Sequence, residues 1–224
     1  MRKISYILIG LLMVLLGVFF LVETWSSICV HFKTFTGKAG KAGHYWWFLW
    51  VLLGAVIFPL MNRFLEKNMD FIKTFSHEFS HTVVSVLTLQ RVHSFHAEEK
   101  TGEITHSGNT RLGFMISLAP YCFMFFTFPL MALRCLVEPG FLPIMDVIIG
   151  FTIGLHAVCF KEDTGNYQTD ITRHPLAFSY IYIFAILLFD LSLILMSYEP
   201  QSNIFYAFKD YAVHLWGYVS MLWS

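Results

Sequence analysis

Long apolar segments alternate with short polar ones along almost the whole chain, and this pattern predicts helices that cross a membrane. A transmembrane helix needs about 20 consecutive, mostly apolar residues. Five segments have this character, and they lie at 4–22, 45–61, 112–133, 141–160 and 177–196. A sixth segment, 203–223, mixes aromatic residues with Lys209, Asp210 and His214. This mixture is compatible with an interfacial helix or a marginal extra span, and we expect the interfacial helix.

The polar residues that flank the first two spans predict where those helices end. The basic start Met1-Arg2-Lys3 resembles that of a signal peptide, but no small-residue cleavage site follows the apolar segment at Glu23. We therefore predict a retained first span. Residues 23–44 contain several lysines and glycines and predict a polar loop, and Pro59 is expected to kink or end the second span.

A different pattern separates the second span from the third. Residues 62–73 are amphipathic and charged, and they lead into a helix at 70–90 that is short for a full membrane crossing. After this helix, residues 92–96 and 103–106 have the alternation of two strands, with a turn that includes Gly102 between them. These features predict a β-hairpin.

The composition agrees with a membrane protein and argues against other classes. Hydrophobic residues make up 56% of the 224 residues and charged residues only 13%, a balance typical of membrane proteins. The net charge of zero argues against a nucleic-acid partner. The four cysteines lie far apart and indicate neither a metal site nor a disulfide framework. We predict an all-α polytopic membrane protein, with about six transmembrane helices and a small β-hairpin after the helix at 70–90.

The helix at 70–90 contains the motif His77-Glu78-Phe79-Ser80-His81, an H-E-x-x-H. Residues four apart lie on one face of a helix, so His77 and His81 can bind the same metal ion, with Glu78 close to a water on that ion. Two imidazole ligands and a carboxylate base are typical of zinc peptidases. The other interpretation is a chance match, with two histidines packed in a bundle core. Ionisable groups cost about 2.5–3.5 kcal/mol at the centre of a membrane, which favours a functional site.

The order of these motifs resembles the site-2 protease family of intramembrane zinc metalloproteases, in particular its short branch without a PDZ or CBS domain. The likeness covers residues 59–171 and consists of H-E-F-S-H, the hairpin after it, the segment 117–121 and a distal aspartate. The resemblance implies a catalytic core at about 59–197 within a single membrane domain, 1–224, whose last part, 198–224, forms the interfacial helix. It also implies that zinc is held inside the membrane by the two motif histidines and an aspartate, with the motif glutamate as general base.

The aspartate that matches the family's third ligand is Asp170. It ends the segment 166–170, which lacks the proline of the family's motif, and Ile171 stands where the family has a glycine. His156 is an alternative third ligand, because a histidine also completes catalytic zinc sites. Asp163 is a further candidate, but its charged neighbours predict a solvent-exposed residue whose removal leaves zinc binding near normal.

The predicted function is hydrolysis of a peptide bond in or near a transmembrane segment of a membrane-protein substrate. Such a substrate helix must unwind, and its freed backbone groups need partners in lipid. We expect the edge of the hairpin, around Phe95 and Ile104, to bind the substrate by strand addition.

The alternative function is that of a non-enzymatic metal-binding transporter or a structural membrane protein. Ionisable residues on different spans would form a relay in a transporter, and Asp146, His156 and Asp190 permit one. In either case we expect a multi-pass integral protein, in contact with the lipid bilayer of a bacterial cell membrane. The sequence sets neither the orientation in the membrane nor the oligomeric state.

Overall fold

The computed structural model describes residues 2–36, 46–98, 101–106, 112–165 and 167–221, and they form a helical bundle with one small hairpin. The elements are α1 (Arg2–Thr36), α2 (Trp46–Phe64), α3 (Glu66–Leu87), β1 (Val92–Ala97), β2 (Gly102–His106), α4 (Gly113–Cys122), α5 (Thr127–Arg134), α6 (Leu142–Asp163), α7 (Thr169–Thr172), α8 (Leu176–Ser197) and α9 (Ile204–Met221). Within these ranges, α1, α2, α6 and α8 are long and apolar enough to cross a membrane, and the bent pair α4–α5 can form a fifth span. The predicted fold class is confirmed.

The first helix is longer than predicted, because its polar residues find partners inside the bundle. The expected loop at 23–44 is wrong over residues 23–36, which are helical, while residues 37–44 lie outside the described part. Glu23 and Ser27 are buried there, and they hydrogen-bond to His214 and Glu199 respectively. A polar side chain within a membrane helix is satisfied by such neighbours, so it does not end the helix.

Helices α2 and α6 approach each other until their backbones touch. A side chain at Gly54 would meet the Val147 carbonyl oxygen, and a methyl group at Gly154 would lie 2.6 Å from the Ala55 carbonyl oxygen. Small residues permit this close packing of helices in membranes. The helix α2 also continues through Pro59 to Phe64, so the expectation that this proline ends the span is wrong. The packing of α2 against α6 holds the C-terminal end of α6 close to the start of α3.

The segment predicted as a single span at 112–133 is two helices, α4 and α5, which meet at 67°. The break at residues 123–126 lies between two prolines, Pro120 within α4 and Pro129 in the first turn of α5. Pro129 has no backbone N–H to donate to the carbonyl four residues earlier, which lies in the break. The break exposes backbone groups, and the Met124 N–H donates a hydrogen bond to the Asp190 carboxylate on α8 at 3.1 Å. Asp190 therefore stabilises the broken segment.

The hairpin packs on the motif helix α3. Its strands are antiparallel, with Phe95 opposite Ile104 and Ala97 opposite Gly102, which confirms the predicted hairpin. The Phe95 ring makes an edge contact with the Phe75 ring of α3, with ring centroids 5.7 Å apart. The hairpin thus covers the part of α3 that carries the H-E-x-x-H motif.

Candidate metal centre

Helix α3 presents the two motif histidines side by side. Residues 76–82 are helical as predicted, and the ring centroids of His77 and His81 are 5.0 Å apart. The hydroxyl of Ser80 donates to the Ser76 carbonyl oxygen and that of Thr82 to the Glu78 carbonyl oxygen, so these polar side chains are satisfied by their own helix. The histidine nitrogens remain available to other elements.

Asp170 meets both histidines across the bundle. Its Oδ2 atom lies 3.4 Å from Nε2 of His81 and 3.7 Å from Nε2 of His77. Over the residues that the structure describes, these three form the one His/Cys/Asp/Glu group whose ligand atoms all lie within 4.8 Å of one another. The short helix α7 holds Asp170 in place, because Ile171 is fully buried and its carbonyl oxygen accepts a hydrogen bond from Ser179.

The other nitrogen of each histidine is held by a different partner. The Nδ1 atom of His81 lies 2.7 Å from the Ile116 carbonyl oxygen of α4. A carbonyl oxygen can only accept, so this nitrogen carries the proton and Nε2 is left with a lone pair for a metal. The Nδ1 atom of His77 lies 3.5 Å from Oδ2 of Asp163, at the end of α6. Partners of this kind fix the tautomer and the ring orientation of metal-binding histidines.

Asp163, which the sequence predicts to be solvent-exposed, is a partner of His77 instead. Its neighbours Lys161 and Glu162 are exposed, as the charged cluster predicts, but Asp163 itself is only partly exposed and faces His77. The contact depends on how α6 packs against α3, and no local spacing in the sequence indicates it.

Charged neighbours outweigh burial in setting the pKa values of His77 and Asp170. Burial acts to lower the pKa of His77, but the interactions with Asp163 and Asp170 outweigh it and raise that pKa to about 9. Burial acts to raise the pKa of Asp170, but the two histidines outweigh it and hold the pKa below its usual value. His77 and Asp170 therefore each stabilise the charged form of the other.

Glu78 and Tyr121 stand beside the same group. Burial raises the pKa of the Glu78 carboxyl, against the opposite effect of the charges on His81 and His77. The buried ring of Tyr121 makes an edge contact with the His77 ring, with centroids 5.6 Å apart. Its hydroxyl has no hydrogen-bond partner in the described parts of the chain. Tyr121 lies in the segment 117–121, which is part of the resemblance to the site-2 protease family.

His156 lies apart from this group. It lines a cavity of about 10 Å³ together with Ser76, Ser80 and the broken segment between α4 and α5. That volume is enough for roughly one water molecule. Ser76 and Ser80 precede the two histidines on α3, so they lie on an adjacent face of the helix. The geometry favours Asp170 over His156 as the third ligand.

Comparison with known proteins yields one match. Residues 49–159 match the family model described as Peptidase M50B-like. The matched range includes the H-E-x-x-H motif, the hairpin and the broken helix pair, and it ends before Asp163 and Asp170. Neither the curated proteins nor the solved structures provide a match. Because the family match does not reach Asp170, the support for this residue as a metal ligand comes from the geometry of this chain.

Proposed function

Because the chain belongs to the Peptidase M50B-like branch of the site-2 protease family, we propose that it is an intramembrane zinc metalloprotease. Its substrate would be a membrane protein, cut at a peptide bond in or near a transmembrane segment, in the lipid bilayer of a bacterial cell membrane. The observation that carries this proposal is the convergence of His77, His81 and Asp170 next to Glu78.

The residues present fit a zinc ion. Ligand atoms on a tetrahedron around zinc, each about 2.0–2.2 Å from the metal, stand roughly 3.3–3.6 Å from one another. The 3.4 Å and 3.7 Å separations between Asp170 and the two histidines are close to this value. Two imidazoles and one carboxylate are also a donor set of catalytic zinc sites, in which a fourth position stays open.

The protein's own residues would supply the proton transfers. When bound, zinc lowers the pKa of a water molecule to about 7 and polarises a peptide carbonyl. Glu78 would accept the proton of the attacking water and later donate it to the leaving amine. Tyr121 offers a hydroxyl donor beside His77 for the oxygen on which negative charge develops. His77 and His81 would be kept in orientation by their Nδ1 contacts.

The hairpin is proposed to present the substrate. An unwound substrate segment needs partners for its backbone groups, and a strand edge offers them in register. Phe95 is exposed and Ile104 lies opposite it, on a hairpin that contacts α3 directly. A segment added to this hairpin would therefore lie close to the H-E-x-x-H motif.

The contacts of the other ionisable residues argue against a transporter. Asp146 accepts hydrogen bonds from Arg134 at 2.7 Å and from the Tyr198 hydroxyl at 2.7 Å. Asp190 accepts one from the Met124 N–H. Each of these carboxylates holds neighbouring elements together, and His156 lines a separate small cavity. Together they favour structural roles over a relay.

The test is cleavage of a single-span substrate helix by the purified protein, with zinc measured in the same samples. We expect about one zinc ion per chain and cleavage that a chelator abolishes. The matched control is Glu78→Gln, which keeps the size of the side chain but removes the base. It should bind zinc normally and lose at least about a hundredfold in rate. A Glu78→Gln variant that cleaves at the normal rate would contradict the proposed mechanism.

A further inference from the structure

The first residue of strand β2, Gly102, lies directly against the side chain of Glu78. A methyl group on Gly102 would stand 2.5 Å from Cγ and 2.7 Å from the carboxyl carbon of Glu78, and closer still to Oε1. Atoms in packed interiors do not approach so closely, so one of the two groups would have to move. The hairpin backbone therefore occupies the space immediately beside the candidate general base.

Space, not backbone conformation, is what requires glycine at this position. The φ angle of Gly102 is outside the left-handed region, so an alanine could adopt the same backbone without strain. Gly102 is also fixed in position, because it pairs with Ala97 in the hairpin register. The group that can yield is the Glu78 carboxylate, at the end of a flexible side chain.

We propose that Gly102 is a positioning residue for Glu78, and this inference rests on the proposed function. The bare backbone of Gly102 limits where the Glu78 carboxylate can lie while leaving it room beside His77 and His81. Gly102 and Ile104 belong to the same strand. The element that is proposed to bind the substrate strand therefore also sets the position of the base.

The first arm of the test compares Gly102→Ala with Gly113→Ala, at a glycine where an added methyl group has nothing within 4 Å. We expect Gly102→Ala to lower kcat at least about tenfold with unchanged zinc content, because a displaced base loses much of its contribution. Gly113→Ala should stay within about twofold of the wild type. Equal kcat values in the two variants would overturn the inference.

A shorter carboxylate should relieve the effect. Glu78→Asp withdraws the carboxylate by one methylene, which makes room for the methyl group of Gly102→Ala. The double variant should therefore lose less activity than the product of the two single losses, as expected for groups in contact. A loss of activity in the double variant that equals the product of the two single losses would contradict a direct contact.

The second arm needs neither zinc nor cleavage. In the metal-free protein, Gly102→Ala should lower Tm by about 2–4 °C when Glu78 is present. With Glu78→Ala the clash is gone, and the same change should leave Tm unchanged or raise it, since alanine restricts the unfolded chain more than glycine. Equal Tm shifts in the wild-type and Glu78→Ala backgrounds would show that the added methyl group does not contact Glu78. If the wild type cleaves no substrate, the proposed function fails, while this arm still decides whether Gly102 holds Glu78.

Discussion

The Nε2 atom of His81 lies 3.4 Å from the Oδ2 atom of Asp170, although the two residues belong to helices separated by the hairpin, the broken pair α4–α5 and the long helix α6. A carboxylate and an imidazole at this distance can share one metal ion. The relationship makes Asp170 the strongest candidate for the third ligand.

Removal of the Asp170 side chain should lower the zinc content of the protein, whereas removal of the His156 side chain should not. Asp170→Ala takes away a ligand, and we expect zinc content after dialysis to fall to a small fraction of one per chain. His156→Ala is the matched control, because His156 is also a partly buried ionisable residue but lines a separate cavity. It should retain zinc at the wild-type level. Full zinc in Asp170→Ala together with loss in His156→Ala would reverse the assignment.

Asp163 should matter for zinc affinity even though it is not a ligand. The sequence alone predicted near-normal zinc binding in Asp163→Ala, but the contact of Asp163 with Nδ1 of His77 leads to a different expectation. Loss of such an orienting partner typically reduces metal affinity by about 10–100-fold. Asp163→Asn keeps an oxygen acceptor for this nitrogen, so its affinity should lie between those of the wild type and Asp163→Ala. Competition with a zinc chelator measures the zinc affinity of the wild type and of both variants. Equal affinities in the three proteins would show that Asp163 does not support zinc binding.

Proline in the hairpin should reduce substrate handling and leave zinc in place. Phe95→Pro and Ile104→Pro each delete a backbone donor and disturb strand pairing. The controls are Phe95→Ala and Ile104→Ala, which shorten the side chain but keep the N–H. We expect a larger fall in kcat/KM for each proline variant than for its alanine control, with equal zinc content. Unchanged turnover in both proline variants would exclude strand addition.

The Tyr121 hydroxyl should contribute to the rate and not to metal binding. Tyr121→Phe removes only that hydroxyl, and loss of a donor to developing negative charge costs up to about 10²–10³ in kcat. Tyr182→Phe is the control, because the Tyr182 hydroxyl is also buried and without a partner in the described structure, but its ring packs against Phe114 and Phe178. We expect a loss in kcat for Tyr121→Phe alone, with zinc content unchanged in both. The same rate in the two variants would leave Tyr121 as a packing residue.

The parts of the fold that could be predicted from the sequence are those with a local signal. The H-E-x-x-H spacing is local, so the placement of His77 and His81 on one helix face follows from the helical repeat. The hairpin also has a local signal, in the alternation of its strands and in Gly102. Asp170 was identified by family resemblance, and its approach to the histidines agrees with that choice.

The parts that could not be predicted depend on contacts between distant elements. Asp163 has the composition of an exposed cluster, and only the packing of α6 against α3 brings it to His77. The break between α4 and α5 lies between Pro120 and Pro129, and its Met124 N–H is satisfied by Asp190 from a later helix. Polar residues such as Glu23 predicted a loop, but a neighbouring helix satisfies them and the helix continues. Local patterns cannot indicate these partners.

The central claim is that His77, His81 and Asp170 hold the catalytic zinc. The most direct test is an anomalous-scattering map at the zinc edge from crystals of the zinc-loaded Glu78→Gln protein. We expect one peak, with Nε2 of His77, Nε2 of His81 and a carboxylate oxygen of Asp170 each about 2.0–2.2 Å from it. A peak coordinated by His156 with Asp170 remote, or a peak away from the two motif histidines, would contradict the account.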